Sequence, residues 1–280
     1  MTISHTLIDD VAALLRQVAA DVVMPRFGTL AAGDIVEKTP GELVTVADRE
    51  AEVRLTAGLS VLAPDVRVIG EEACAADPSL LDTVGAGRHW LVDPIDGTAN
   101  YAAGRGPFGL MIALVEDGET VAGWLYDPLH DRLCTAVRGQ GAMIDGRSVR
   151  AAMPPRDRYV AGLATQFMSA ADRAAVEAGG AEHFDLVPIP RCAAEQYPRL
   201  VLGENDVALF QRTLPWDHAA GALFVVEAGG VVARWDGTPY RLDDGRTGLL
   251  AANSLAAWTA ARHALFELGI APPPFGERLP

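Results

Sequence analysis

Positive charge is scarce in this chain. Of 23 basic residues, Lys38 is the only lysine, against 37 acidic residues and a formal net charge of −14. So acidic a surface argues against general binding to nucleic acid or to an anionic membrane. Cysteine is also sparse. Cys74, Cys134 and Cys192 lie far apart and match no metal spacing. An odd number of cysteines gives no disulfide framework and points to a reducing compartment. No apolar run approaches the ~20 residues that a membrane span needs, and the N-terminus lacks a basic segment followed by an apolar one. These absences predict a cytoplasmic protein with neither nucleic acid nor membrane as partner. No internal repeat or low-complexity segment stands out.

What is present is a sizeable apolar complement. Half of the 280 residues are hydrophobic, enough for one large domain or for two halves around a shared cleft. One stretch concentrates the chemistry: Trp90-Leu91-Val92-Asp93-Pro94-Ile95-Asp96-Gly97-Thr98. The apolar run predicts a buried strand that ends at Pro94, because proline cannot donate to a ladder and biases Asp93 toward extended backbone. Two carboxylates then share one tight turn. Gly97 lets backbone approach whatever they hold, and Thr98 is placed to cap a following helix. Carboxylate oxygens suit Mg²⁺, and a helix start suits a phosphate. A turn of this composition is also ordinary loop chemistry.

Along the first half, Ser4 caps a predicted helix to about Phe27, with Leu7, Val11, Leu14, Val18 and Val22 on one stripe. The polar stretch 33–48 reads as a mobile hairpin or loop carrying Lys38. After Asp48 a second helix places Ala51, Leu55 and Leu59 on one face, and Asp48 fits its first turn, where negative charge is favourable. A short strand, Val66 to Ile69, ends in Gly70-Glu71-Glu72. Residues 77–88 read as a loop and 100–107 as irregular. Runs at 109–115, 121–126 and 133–137, separated by turn residues, predict an antiparallel meander.

Met153-Pro154-Pro155-Arg156 marks a boundary, giving halves 1–152 and 153–280. The second half alternates strands near 159–163, 187–189 and 207–210 with helices. One helix starts at Ser169 and stops at Gly179-Gly180; another opens at Arg191-Cys192-Ala193-Ala194. Asp217 reads as the N-cap of an apolar helix ending in Glu227-Ala228-Gly229-Gly230. Strands at 231–234 and 248–252 and a helix from Leu255 to Leu268 complete the pattern. The tail from Pro272 reads as disordered.

Asp93-Pro94-Ile95-Asp96-Gly97-Thr98 closely resembles the hallmark of the inositol monophosphatase family, the lithium-sensitive, Mg²⁺-dependent phosphomonoesterases. The Gly-Glu-Glu element ahead of it, the Lys38…Asp48 flank and Trp216-Asp217-x-Ala-Ala-Gly followed by Glu-Ala-Gly-Gly resemble further family elements in the same order. The resemblance spans residues 34–254. It implies an α/β fold of the αβαβα sandwich type shared with fructose bisphosphatases, and a homodimer.

By the same resemblance, Glu71, Asp93 and the Ile95 carbonyl hold one Mg²⁺, while Asp93, Asp96 and Asp217 hold a second. A third, weaker ion lies near Glu71, and Mn²⁺ can substitute. Glu72 lies near the metal water shell. Asp48 and Thr98 pair to activate water, Gly97 and Thr98 N–H groups bind phosphate, and Lys38 adds charge. The implied activity is hydrolysis of a small-molecule phosphate monoester. Substrate choice departs from the inositol-preferring pattern. Arg191-Cys192-Ala193 stands where those members carry Gly-Ser/Thr-Ala, and Phe210 stands where they carry a Glu. Arg191, Glu195 and Arg212 either read a charged substrate or are surface charges. Histidinol phosphate or a 3'(2'),5'-bisphosphate nucleotide is the alternative substrate. A non-catalytic phosphate-binding relative and a metal-dependent nuclease are the other classes considered.

Overall fold

The computed structural model describes residues 3–39 and 41–267; the tail from Pro272 lies outside them. Helix α1 spans His5–Val18, with the Ser4 hydroxyl accepting from Leu7 N at its start. It continues through a π-helical turn, Ala19–Val23, and a 3-10 turn, Met24–Arg26. Strands β1 (Ile35–Thr39) and β2 (Glu42–Thr45) form an antiparallel hairpin, and α2 (Val46–Leu62) follows directly. Then come β3 (Arg67–Gly70), α3 (Glu71–Ala76), β4 (Arg88–Asp96) and α4 (Thr98–Ala102). The meander consists of β5 (Gly109–Glu116), β6 (Glu119–Asp127), β7 (Arg132–Val137), β8 (Gly141–Ile144) and β9 (Arg147–Val149).

The remaining elements are β10 (Val160–Ala164), α5 (Ala170–His183), β11 (Asp185–Leu186), α6 (Ala193–Val201) and β12 (Val207–Phe210). They end with α7 (Pro215–Glu227), β13 (Val231–Ala233), β14 (Leu249–Ala252) and α8 (Leu255–Arg262). Strands β3 to β9 make one sheet in sequence order, parallel only between β3 and β4. The second sheet has the order β11-β10-β12-β14-β13.

The layers follow from side-chain alternation along the strands. Trp90, Val92, Ile112 and Trp124 face Val11, Leu15, Leu55 and Leu59 of α1 and α2. Leu91, Met111, Ala113 and Leu125 face the other way, onto Tyr197, Ala219, Ala220 and Leu223 of α6 and α7. Ala208, Phe210, Leu249 and Ala251 of the five-stranded sheet cover the far side of those helices. Val176 of α5 and Ala257 and Trp258 of α8 close the outer face over Leu209 and Leu250. The result is an αβαβα sandwich. Helix α7 lies between two sheets and is therefore apolar on nearly all sides. Fully burying a side chain such as Leu55 or Leu59 contributes roughly 1.5–3 kcal/mol.

Four local expectations are corrected. β4 does not stop at Pro94 but runs to Asp96, because its ladder to β5 skips from Asp93 to Asp96 and asks no bond of the proline nitrogen. α5 runs through Gly179-Gly180 to His183, where Gly180 packs close to Leu163. The strand expected at 187–189 forms at Asp185–Leu186, beside β10. Leu214, with Pro215 as first helical residue, starts α7, so Asp217 is not the N-cap. Among the described residues, no helix is long and apolar enough to cross a membrane.

Candidate active site

The site is built on the irregular end of β4. After the skip in the ladder, Gly97 turns the chain with φ 83° and ψ 33°, a left-handed conformation that suits glycine. A Cβ there would meet Pro107 O and Cys192 Cβ, each at 3.1 Å. Gly97, not Thr98, is the N-cap of α4, which corrects the expected cap. The Thr98 hydroxyl instead lies 2.9 Å from the Ile95 carbonyl and 3.2 Å from Asp48 Oδ1, and can donate to either.

Asp48 sits in the first turn of α2, in a reciprocal cap with Thr45. Its Oδ2 accepts from Thr45 N at 2.9 Å and from the Thr45 hydroxyl at 2.5 Å. That leaves Oδ1 to face Thr98. Burial pushes the Asp48 pKa up to about 6, against the pull of the Thr45 hydrogen bonds.

Four carboxylates share the interior beside this pair. Asp93 Oδ1 is buried with no hydrogen-bond partner. Burial, then Glu71, Asp96 and Asp217, hold its pKa well above the usual carboxylate range. Burial also raises Asp96, opposed by the Ala194 N–H, which donates to Asp96 Oδ2 at 2.6 Å, and by the Cys192 thiol. The Gly97 N–H also lies against the Asp96 carboxylate. Asp217, the third residue of α7, is pushed up to about 7 by burial and by Asp96. The neighbouring Asp93 carboxyl works the other way and lowers it.

Glu71 is pushed up to about 8 by burial, although Lys38 pulls it down. Lys38 Nζ lies 2.7 Å from both Glu71 Oε1 and Glu72 Oε1. Burial works against the ammonium, but the two glutamates overcome this and hold its pKa above the usual lysine value. Among the described residues, no three carboxylate, imidazole or thiol groups converge into a ready-made metal cage. The chemistry of the set nevertheless fits a hard cation. Its donors are oxygens, they are buried, they raise one another's pKa, and one oxygen is orphaned.

A cleft opens over Glu71, Asp93, Ile95, Asp96, Gly97, Thr98 and Asp217, so sequence-expected residues far apart in the chain line one cavity. Lys38 reaches this group from the hairpin. The expected substrate-selecting residues Arg191, Cys192, Ala193, Phe210 and Arg212 line the same cleft. Their states differ. Arg212 is engaged, ion-paired with Glu42 at the start of β2 and lying 4.0 Å over the Phe167 ring. Phe210 is nearly buried, stacked on Tyr197 at 5.1 Å and edge-on to His218 at 4.8 Å. Arg191 is exposed, in a left-handed conformation with φ 55°, and among the described residues no carboxylate pairs with it. Glu195 does not line this cleft and is paired with Arg132 and Arg199.

A sequence profile described as the inositol monophosphatase family matches residues 5–267. The chain belongs to the inositol monophosphatase family. It is accordingly an enzyme that hydrolyses phosphate monoesters. It is 32% identical over 232 residues to "Inositol-1-monophosphatase" of Mesorhizobium japonicum, covering 78% of this chain and 82% of the relative. It is 31% identical over 244 residues to "3'(2'),5'-bisphosphate nucleotidase CysQ" of Escherichia coli, covering 83% and 92%. The solved extragenic suppressor protein suhB of Bartonella henselae superposes with a TM-score of 0.80 at 25% identity, over 94% of this chain and 99% of that one.

Sequence reading missed three supports of this family site. Glu52, one turn beyond Asp48 on α2, accepts from Glu72 N at 2.7 Å and from Ala73 N at 2.9 Å. His218, next to Asp217, lies 3.0 Å from the Arg212 carbonyl through Nε2, and 2.8 Å from the Tyr197 hydroxyl through Nδ1. With its pKa pushed down to about 3 by burial, His218 is neutral and suited to donate to the carbonyl while accepting from Tyr197. The i to i+4 spacing of Asp48 and Glu52 was a readable signal that both lie on one helical face. Nothing local marked Tyr197 or His218.

Proposed function

We propose that this chain hydrolyses a small-molecule phosphate monoester with the help of Mg²⁺ held by its buried carboxylates. The observation that carries the reading is the orphaned Asp93 Oδ1, sealed among Glu71, Asp96 and Asp217. A buried carboxyl oxygen without a partner is costly, and a hard cation taking the place of a proton relieves that cost. Glu71, Asp93, the Ile95 carbonyl, Asp96 and Asp217 would hold two Mg²⁺ ions, with a third, weaker one near Glu71; Mn²⁺ would substitute in an all-oxygen set. Such ions would neutralise the phosphate dianion, supply an activated water and stabilise the leaving oxygen.

The chain's own groups would do the rest. The Thr98 hydroxyl would orient the attacking water and take a proton from it as its own proton passes to Asp48 Oδ1, which lies within hydrogen-bond reach. The Gly97 and Thr98 N–H groups would face phosphate oxygens once the Asp96 carboxylate turns to a cation. Lys38 would add positive charge beside Glu71.

We further propose that the leaving group carries an apolar or aromatic face, or a second anionic group, in preference to a plain polyol. The support is Arg191, a cation lining the cleft without an ion pair among the described residues, together with Phe210 in place of an acceptor. Histidinol phosphate and an adenosine bisphosphate meet that description. The relative named as a bisphosphate nucleotidase is consistent with it, and the relative named as an inositol monophosphatase keeps inositol 1-phosphate in view. A phosphate-release screen over inositol, histidinol, adenosine and sugar phosphates tests both statements. Release from none of them would contradict the first, and a preference for inositol 1-phosphate the second. The homodimer remains part of the reading, and light scattering on the purified chain tests it.

A further inference from the structure

One buried carboxylate has no part in the chemistry just described. Glu52 is only 8% exposed and lies on α2 behind the Gly70-Glu71-Glu72 turn. Its two oxygens take the backbone N–H groups of Glu72 and Ala73 at 2.7 and 2.9 Å. These are first-turn donors of α3, which have no acceptor within their own helix. The N-cap of α3 is Gly70, which offers no side-chain oxygen. The cap is therefore supplied from another helix.

Gly70 is what lets it in, since a Cβ at that position would lie 2.2 Å from the Glu52 carboxyl carbon. The same face of α2 carries Asp48, whose Oδ1 faces Thr98. Two successive turns of one helix thus support the water-activating pair and the Glu71 turn.

We infer that Glu52 is a positioning residue for cation binding: by clamping the first turn of α3 through Glu72 N and Ala73 N, it fixes the backbone from which Glu71 reaches the site. This rests on the reading of Glu71 as a metal ligand. A local cap on Gly70 would serve α3 as a helix equally well. Only a clamp from α2 also ties Glu71 to the helix that holds Asp48. Groups that orient a ligand from behind typically matter about 10–100-fold in metal affinity.

The test is isothermal titration of Mg²⁺ into chelator-treated full-length protein, wild type against Glu52→Gln and Glu52→Ala, with melting curves of the same samples. Glu52→Gln keeps one acceptor and the shape but turns a donor toward the second N–H. The expected result is Mg²⁺ binding weakened at least about tenfold in both variants. Folded variants that bind Mg²⁺ as tightly as wild type would overturn the inference while leaving the ligand reading intact. A wild-type protein that binds no Mg²⁺ overturns both. Should the variants fail to fold, hydrogen exchange on the wild type decides. Mg²⁺ should slow exchange at the Glu72 and Ala73 amides, and unchanged protection there overturns the inference.

Discussion

The Thr98 hydroxyl stands 3.2 Å from Asp48 Oδ1 across 50 positions of sequence, and the reciprocal cap with Thr45 leaves that one oxygen of Asp48 to receive it. An isolated helix-start aspartate would need no such partner. If the pair prepares the attacking water, Thr98→Ala and Asp48→Asn should each lower kcat by about 10²–10⁴ with little change in KM. In the wild type, kcat should climb with pH through an acid limb that Asp48→Asn lacks. Steady-state kinetics between pH 5 and about 9 check both points.

A second prediction concerns stability without metal. Burial lifts Asp48 to about 6, Asp217 to about 7 and Glu71 to about 8, from ordinary values of 3.8, 3.8 and 4.5. Between the ordinary and the raised values, the folded chain keeps protons that the unfolded chain has released. Stability of the metal-free protein should therefore fall as pH rises from about 4 to about 8. Added Mg²⁺ should flatten the dependence, because it takes the place of those protons. Melting temperatures across that range, with chelator and with Mg²⁺, give the answer; a metal-free protein that gains stability over the same range would contradict it.

Asp96→Asn and Asp217→Asn separate ligands from structural acids. Both should abolish turnover. Each removes one charge from a cluster of carboxylates that repel one another, so the melting temperature of the metal-free variants should stay level or rise. Asp217 occupies the third position of α7 rather than its cap, so little capping energy is lost. Near-normal activity with lowered stability in Asp217→Asn would assign it a purely structural role.

Substrate preference is best probed at Arg191. Phe210→Glu would place a carboxylate against Tyr197 and His218, in a nearly closed space, and would disturb the fold along with the pocket. Arg191 is exposed, and its φ of 55° is one that glycine adopts freely. Arg191→Gly should keep or slightly raise the melting temperature. It should lower kcat/KM for a doubly anionic substrate by about ten- to a hundredfold, with inositol 1-phosphate nearly unaffected. Equal losses on all substrates would remove Arg191 from substrate selection.

The parts of the site that were legible in sequence are those whose chemistry is local. The run from Asp93 to Thr98 combines a strand end, a proline, a glycine and two carboxylates within a few residues. The αβαβα sandwich was an implication of the family resemblance; the periodicity itself showed a meander in the first half and alternating strands and helices in the second. Two of the misread elements share one cause, which is tertiary contact overriding a local signal. Pro94 ends a strand only if the ladder needs its nitrogen, and the skip to Asp96 removes that need. Gly179-Gly180 stops a helix only if nothing packs against it, and Leu163 does. Arg212, open in sequence between a substrate contact and a surface charge, lines the cleft paired with Glu42 and over Phe167. The i+4 spacing from Asp48 marked the face of Glu52 but not its partners 20 and 21 positions away, and no spacing rule announces the Tyr197–His218 pair.

Phosphate release from p-nitrophenyl phosphate by chelator-treated protein, before and after Mg²⁺ is restored, addresses the central claim most directly. The substrate asks nothing of Arg191 or Phe210, so only the carboxylates and the Thr98–Asp48 pair are tested. The account predicts turnover at the blank level without metal, restored by Mg²⁺ or Mn²⁺ and inhibited by lithium. Full turnover by the metal-free protein would contradict it.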